Sequence, residues 1–225
     1  MTFLRTLVLS LFSLVVALSG AVILAVIGAA IYFSPGLPDV RQLQDFELHT
    51  PLRIFTNDGK LIGEFGEERR MAIDFDDIPQ DMINALIAAE DASYFDHAGV
   101  DPRGLARAAV ELVQSGGTIQ SGGSTITMQV ARNYMLTLDQ TFTRKIREIL
   151  LALQMEQILD KEEIFELYVN KIFLGNRAYG IAAAAETYYD KPLAELSLAE
   201  TAMIAGLPKA PSAFNPLANS ERSLI

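Results

Sequence analysis

Hydrophobic positions in this chain form one long run without charged residues near the N-terminus and several shorter periodic runs after it. No residue from Leu7 to Phe33 is charged, and Ser34-Pro35-Gly36 ends the run. A helix needs roughly 20 apolar residues to cross a bilayer core, whereas the apolar part of a cleaved signal peptide has only about 7–15. The pattern therefore favours an uncleaved transmembrane helix over Leu7–Phe33. Arg5 before it predicts a cytoplasmic N-terminus.

The pattern after this helix predicts a small hairpin followed by helices. Two β-prone segments between Leu52 and Phe65 flank Asn57-Asp58-Gly59, which is a strong turn sequence. Apolar residues then recur at helical spacing. Helices are predicted from Pro79 to Glu90, from Asp101 toward Val113, from Ser124 toward Asn133 and from Phe142 to about Leu159, with a buried alanine-rich helix between Tyr179 and Tyr189.

Two capping sequences add further helix starts. Asp160 with Glu163, and Ser197 with Glu200, have the spacing of capping boxes. The predicted organisation is a cytoplasmic N-terminus at 1–6, a transmembrane helix at 7–33, a linker at 34–50 and one mainly α-helical catalytic domain at 51–225.

Composition and charge exclude some classes of function. The chain has no cysteine, which excludes disulfides and thiolate chemistry. Its formal net charge of -10 argues against a protein that binds nucleic acid. A ligand that carries phosphate would therefore need a local basic cluster. Such a cluster is present, because Arg144, Lys145 and Arg147 follow one another on one predicted helix and Arg132 precedes them.

Glu90-Asp91 is the first candidate for catalysis. Glu90 ends an apolar helix, where a carboxylate could act as a general base, although acidic residues at helix ends are often solvated surface groups. His97 follows in the next loop. Because His49 is the only other histidine, a multi-histidine metal site is excluded, and we expect His97 to fix its loop by a hydrogen bond.

Two further segments have the chemistry of a binding site. Gly122-Gly123-Ser124-Thr125 lets backbone approach a ligand, and the helix that follows offers N–H groups to an anion. On the basic helix, Arg144 and Glu148 are four residues apart, so they could pair on a solvated face or hold phosphate beside a second carboxylate. The apolar stretch Tyr134–Leu138 could belong to the core or dip into lipid.

Together and in this order, the segments resemble the peptidoglycan glycosyltransferases. The resemblance covers about Pro51 to Pro216, and within the family Ala205–Pro216 and Gly63–Arg70 look like class A penicillin-binding proteins of the 1A type. The matching motifs are Glu90-Asp91-x-x-x-Phe95-x-His97-x-Gly99, Gly123-Ser124-Thr125-Ile126-Thr127-x-Gln129, Arg144-Lys145-x-x-Glu148 and Glu166-Leu167-Tyr168-Val169-Asn170-Lys171.

The resemblance implies a lysozyme-like helical domain that polymerises lipid II into β-1,4 glycan strands. Undecaprenyl pyrophosphate would leave with inversion, Glu90 would be the general base and Glu148 the second essential carboxylate. Mg²⁺ or Mn²⁺ would bind through the pyrophosphate, the domain would lie outside the bacterial inner membrane, and cell-wall synthesis proteins would be partners. The residues that match positions around the sugar and the pyrophosphate are Ser124, Thr125, Gln129, Arg132, Arg144 and Lys145.

Departures from the family and rival functions complete the interpretation. Met128 stands where many relatives carry a second glutamine, and the family's last motif would lie past Ile225. Ser-x-x-Lys and Lys-Thr-Gly do not occur, so transpeptidase chemistry is not encoded, and we expect the N-terminal piece of a bifunctional enzyme. The alternatives are a lysozyme-like enzyme that cleaves peptidoglycan, a stand-alone transglycosylase and a membrane-anchored scaffold. The basic cluster favours polymerisation, because departing pyrophosphate needs cations and a neutral glycosidic bond does not.

Overall fold

The computed structural model describes residues 2–44, 52–58, 61–65, 69–115, 123–136 and 142–218. Within these ranges the chain is mainly α-helical, as predicted. The helices are α1 (Thr2–Phe33), α2 (Gln80–Glu90), α3 (Pro102–Gln114), α4 (Ile126–Met135), α5 (Phe142–Met155), α6 (Lys161–Lys171), α7 (Ile181–Tyr189), α8 (Leu198–Gly206) and α9 (Pro211–Phe214). The strands are β1 (Leu52–Phe55), β2 (Leu61–Phe65), β3 (Arg69–Arg70) and β4 (Ala178–Tyr179).

The apolar N-terminal run is helical throughout, and its helix begins earlier than predicted, at Thr2. Large apolar side chains along α1, such as Phe12, Leu24 and Ile31, are exposed. In the described part of the chain, no helix was found to be both long enough and apolar enough to cross a membrane. The transmembrane span predicted over Leu7–Phe33 is therefore not confirmed.

The segment after α1 turns back onto the helical domain. A 3-10 turn at Ser34–Gly36 ends the helix, and Asp39 caps the short helix Val40–Leu43 by accepting a hydrogen bond from the Arg41 N–H. Val40 and Leu43 are buried in the core, and this short helix contacts α5. The described part of the predicted linker at 34–50 thus packs against the domain.

Two small pairings of strands lie beside the helices. β1 and β2 pair antiparallel, with Leu52 opposite Phe65 and an irregularity between Ile54 and Phe55, while Gly59 of the predicted turn lies outside the described residues. β3 pairs parallel with β4. This second pairing joins the segment before α2 to the segment before α7, and no local sequence pattern predicted it.

The core forms because the apolar faces of the helices meet in pairs. α2 packs against α8, and α4 packs against both α5 and α6. The α4 residues Ile126, Val130 and Ala131 are fully buried, as are Leu151 and Met155 of α5. Beside this core, the C-terminal end of α2 meets the start of α4 through the Asp91–Ile126 and Glu90–Gln129 hydrogen bonds, which positions the candidate site.

Three predicted helix boundaries need correction. The cap of α4 is Thr125 rather than Ser124, because the Thr125 hydroxyl accepts the hydrogen bond of the Met128 N–H. Pro79 caps α2 and precedes its first residue. α5 ends at Met155 rather than near Leu159, since the N–H groups of Gln157 and Ile158 donate to the carbonyl three residues back instead of four. Both predicted capping boxes, at the starts of α6 and α8, are confirmed.

The apolar stretch at the end of α4 packs on the protein. Tyr134, Met135 and Leu136 are partly buried against the core, and the Tyr134 hydroxyl donates to the Leu167 carbonyl at 3.1 Å. For these three residues the core interpretation is confirmed. Thr137 and Leu138 lie outside the described residues.

Candidate active site

Glu90 is held at the C-terminal end of α2 by a neutral donor. The carboxylate is half-buried, and Gln129 Nε2 of α4 donates to Glu90 Oε2 at 2.7 Å. Gln129 is itself buried, so its amide is fixed by packing. An amide donor orients a carboxylate without neutralising its charge. Glu90 is therefore oriented by a donor that carries no charge of its own.

Asp91, the next residue, ties three segments together and faces inward. Its buried carboxylate lies 3.0 Å from His97 Nε2 through each oxygen, and Asp91 Oδ2 also accepts the Ile126 N–H at 3.0 Å. The first backbone N–H of α4 is thus satisfied by the residue that follows Glu90. The predicted structural role of His97 is confirmed. The result is a rigid junction between α2, the loop after it and α4.

Thr125 and Gly99 lock the same junction from the other side. The Thr125 hydroxyl donates to the Gly99 carbonyl at 2.6 Å while it caps α4. Gly99 has a φ of +81°, and a Cβ there would lie 2.6 Å from the Ala152 carbonyl oxygen. A side chain at Gly99 would be both strained and blocked. The last glycine of the first motif therefore serves close packing on α5.

A cavity of about 320 Å³ opens beside Glu90. Both candidate segments from the sequence line it, through Glu90 and Asp91 on one side and Gly123, Ser124 and Thr125 on the other. The sequence interpretation missed other parts of its wall, which are Asp101, Gly104 and Arg107 at the start of α3. The Asp101-Pro102 sequence indicated that a helix starts there, but not that its first turns lie beside the glycine loop.

Gly123 shows why α3 and the glycine loop lie so close. A Cβ at Gly123 would come within 3.1 Å of the Ala108 side chain and 3.2 Å of the Gly104 carbonyl oxygen. The glycine therefore permits close contact with α3, in addition to the approach of a ligand that the sequence suggested. Gly122 lies outside the described residues.

The basic helix α5 carries a second, different carboxylate. Glu148 is 1 % exposed, and it pairs with Arg144 Nε at 3.0 Å and Lys145 Nζ at 2.9 Å. Lys145 Nζ also donates to Ser124 Oγ at 2.6 Å. Lys145 thereby links the helix to the cavity wall and places positive charge at its edge. The pair of Arg144 and Glu148 is not a wet surface pair, because Glu148 is buried.

The predicted site residues thus fall into two groups that share one junction. Glu90, Gln129 and Thr125 surround the end of α2, and Arg144, Lys145 and Glu148 form the charged group on α5. Ser124 is common to both. Arg132 lies half-buried on α4, one turn beyond Gln129, and its charge acts on Tyr168 of α6. The roles assigned to these residues by resemblance stay predictions.

The described residues do not form a dedicated metal site. Within them, no group of three or more histidine or acidic side chains is arranged to hold a metal ion. Glu148 is also a poor ligand, since one of its oxygens faces Arg144 and the other faces Lys145. The carboxylates in the described residues therefore do not fit a cation bound by the protein alone.

The segments that carry the helix-end glutamate, the glycine loop and the basic helix all lie within the match to a known family. The family profile described as Transglycosylase matches residues 58–224, which is most of the chain. The chain therefore belongs to the transglycosylase family.

Within the family, the chain is similar to penicillin-binding proteins 1A. It is 61 % identical to penicillin-binding protein 1A of Pseudomonas aeruginosa over 208 residues, which cover 92 % of this chain and 25 % of that protein. It is 51 % identical to that of Escherichia coli over 193 residues, covering 86 % and 23 %. A crystal structure of penicillin-binding protein 1A from Haemophilus influenzae matches at 37 % identity with a TM-score of 0.43, covering 79 % and 17 %. The chain thus spans about a quarter of the length of these curated relatives.

Proposed function

We propose that this chain is the glycosyltransferase part of a bifunctional class A penicillin-binding protein and that its substrate is lipid II. The observation that carries the proposal is the double contact of Lys145, whose Nζ reaches Ser124 in the cavity wall and Glu148 on the basic helix. The Glu90 carboxylate and the Lys145 ammonium group therefore reach the wall of the same cleft, and Arg144 lies next to Lys145 on the basic helix. A polymerase that expels pyrophosphate needs both.

The proposed reaction starts at Glu90. Its carboxylate takes the proton of the acceptor 4-hydroxyl, and the hydroxyl oxygen attacks the anomeric carbon of the donor sugar. The bond from that carbon to the pyrophosphate oxygen breaks, and its electron pair leaves with undecaprenyl pyrophosphate. Because attack and departure occur on opposite faces, an α-linked donor yields a β-1,4 bond. The fold expected for such a domain is lysozyme-like.

The cations proposed to face the leaving group are held in place by a buried carboxylate. Arg144 and Lys145 are oriented by Glu148, which is almost fully buried. Fixed cations that face a charge developing in the transition state lower the barrier without having to reorganise. Arg132 adds positive charge from α4. Mg²⁺ or Mn²⁺ would be bound by the pyrophosphate oxygens themselves, since a hard cation often takes most of its ligands from substrate phosphate.

The decisive experiment incubates the detergent-solubilised protein with labelled lipid II. We expect polymer from the native protein and a loss of about 10²–10⁴ in rate for Glu90→Gln. The amide is nearly isosteric, so the melting temperature should hold. The matched control is Glu195→Gln, the same change at an exposed residue. Cleaved glycan instead of polymer would support the lysozyme-like alternative, and the absence of any product would support a scaffold.

We also propose that α1 lies in the lipid of the inner membrane, with the catalytic domain outside. The support is the row of exposed apolar side chains that includes Leu14 and Leu24. Replacing both by Arg should weaken partition into vesicles, because an arginine in the centre of a bilayer costs about 2.5–3.5 kcal/mol on insertion scales. Val110→Arg, at an exposed residue of α3, is the control. If the native protein, the double arginine variant and Val110→Arg partitioned equally, the proposal that α1 lies in the membrane would be wrong.

A further inference from the structure

Tyr168 carries a buried hydroxyl to which no described residue is hydrogen-bonded. The residue lies on α6 and is 1 % exposed, and its ring packs on Phe165 at 6.2 Å between centroids. Among the described residues, no group is hydrogen-bonded to the Tyr168 oxygen. The hydroxyls of Tyr94, Tyr134 and Tyr188, by contrast, each donate to a backbone carbonyl. Buried polar atoms are nearly always paired, so an exception calls for an explanation.

The surroundings of this hydroxyl point to the candidate site. α6 packs directly on α4, the helix that carries Gln129 and Arg132. Burial raises the pKa of Tyr168 well above its usual value, the charge of Glu90 raises it further, and the charge of Arg132 opposes the shift. Glu90 is itself hydrogen-bonded to Gln129 of α4, so α4 connects the Glu90 carboxylate with the helix that carries Tyr168. Since the phenol stays protonated at neutral pH, it can donate a hydrogen bond to a nearby carboxylate.

We propose that Tyr168 is a positioning residue of the Glu90 centre, whose hydroxyl donates a hydrogen bond to the Glu90 carboxylate once substrate fills the cleft. Gln129 already holds Glu90 Oε2. A second donor fixes the plane of the carboxylate, so that its remaining lone pair faces the acceptor hydroxyl. Catalytic hydrogen bonds are often incomplete in the free enzyme and tighten in the complex. The proton stays on the phenol throughout. The inference rests on the proposed role of Glu90 as the base.

The test is Tyr168→Phe in the full chain, which removes one oxygen and keeps the ring. A hydrogen bond to a charged group that forms in the reacting complex should make kcat fall about 10- to 100-fold. The KM for lipid II should stay within about twofold, because the group does not touch the substrate. The melting temperature should hold or rise, since an unpaired buried hydroxyl is lost.

Tyr188→Phe is the matched control. The Tyr188 hydroxyl donates to the Leu174 carbonyl at 2.7 Å, so the same substitution breaks an existing bond. This variant should have a lower melting temperature and an unchanged kcat. Native kcat in Tyr168→Phe would overturn the proposal. A fall in kcat that comes with a loss of stability like that of Tyr188→Phe would overturn it too, because the role would then be structural.

A double variant separates this inference from the proposed function. If Tyr168 acts through Glu90, then Glu90→Gln with Tyr168→Phe is no less active than Glu90→Gln alone. A further loss in the double variant would give Tyr168 an independent role and contradict the inference. Full activity of Glu90→Gln would overturn the proposed base itself. An inactive Glu90→Gln beside a fully active Tyr168→Phe would overturn only the positioning role.

Discussion

The two essential carboxylates that the family resemblance implies are in opposite environments. Glu90 is half-buried, opens on a cavity and is held by one neutral amide. Glu148 is buried and lies between Arg144 and Lys145. A carboxylate with a free oxygen can accept a proton from substrate, whereas one that is covered by two cations can only hold them in place. The same residue type thus suits the proposed proton transfer at one position and holds two cations in place at the other.

The sharpest test of this difference is Glu148→Gln. Removing one partner of a buried ion pair leaves uncompensated charge, which typically costs about 3–5 kcal/mol of stability. We therefore expect urea unfolding to show a loss of this size, together with loss of polymerisation as Arg144 and Lys145 become disordered. Glu90→Gln, in contrast, should lose activity while its free energy of unfolding stays unchanged. If Glu148→Gln were as stable as the native protein and equally active, the contrast between the two carboxylates would be wrong.

The next test is at Arg144, which should contribute more to turnover than to stability. Losing one preorganised electrostatic donor costs roughly 2.7–4 kcal/mol of transition-state stabilisation. Arg144→Ala should therefore lower kcat by about 10²–10³ and raise KM much less. Arg144→Lys should be a poor substitute, because a planar fork and a point charge bind phosphate differently.

The control for Arg144 is Arg103→Ala, at an exposed arginine of α3. It should leave both turnover and unfolding unchanged. If Arg144→Ala lowered stability and left turnover unchanged, this arginine would only support Glu148. That result would favour the hydrolase alternative. A solvated Arg144–Glu148 pair, which the sequence left open, is excluded because Glu148 is buried.

Features that depend on a few consecutive residues could be predicted from the sequence. The capping boxes at Asp160 and Ser197 were found correctly because their partners are three residues away. The predicted cap of α4 is wrong by one residue, because serine is by type a slightly better cap than threonine and only tertiary contacts select Thr125 over Ser124. The carboxylate of Glu90 was recognised as a candidate because it ends an apolar helix.

Features that depend on distant residues were not predictable in the same way. Nothing near Asp91 in the sequence indicates that it accepts the Ile126 N–H, 35 residues away. The burial of Glu148 was also missed, because helical spacing shows that it can pair with Arg144 but not what covers the pair. The parallel pairing of β3 with β4 involves two residues from each strand, which is too short to give a periodic pattern.

The smallest expected effect is at Glu200, where a glutamate and a lysine pair at the surface instead of in the core. Lys191 Nζ lies 2.7 Å from Glu200 Oε1. The hydrogen bond from Lys191 lowers the pKa of Glu200 from 4.5 to about 2, with smaller contributions from the Ser197 N–H and hydroxyl. A carboxylate whose pKa is lowered by folding stabilises the native state above its unfolded pKa. That stabilisation is lost as the pH falls toward the folded pKa.

Glu200→Gln should therefore lower the melting temperature slightly at neutral pH, and the difference from the native protein should shrink as the pH falls from 4.5 toward about 2. Added salt should reduce it further, because exposed charges are screened. Lys191→Gln removes the largest cause of the shift and should weaken the same pH dependence. A difference as large as that of Glu148→Gln, or one that does not change with pH, would show that burial is not what separates the two glutamate–lysine pairs.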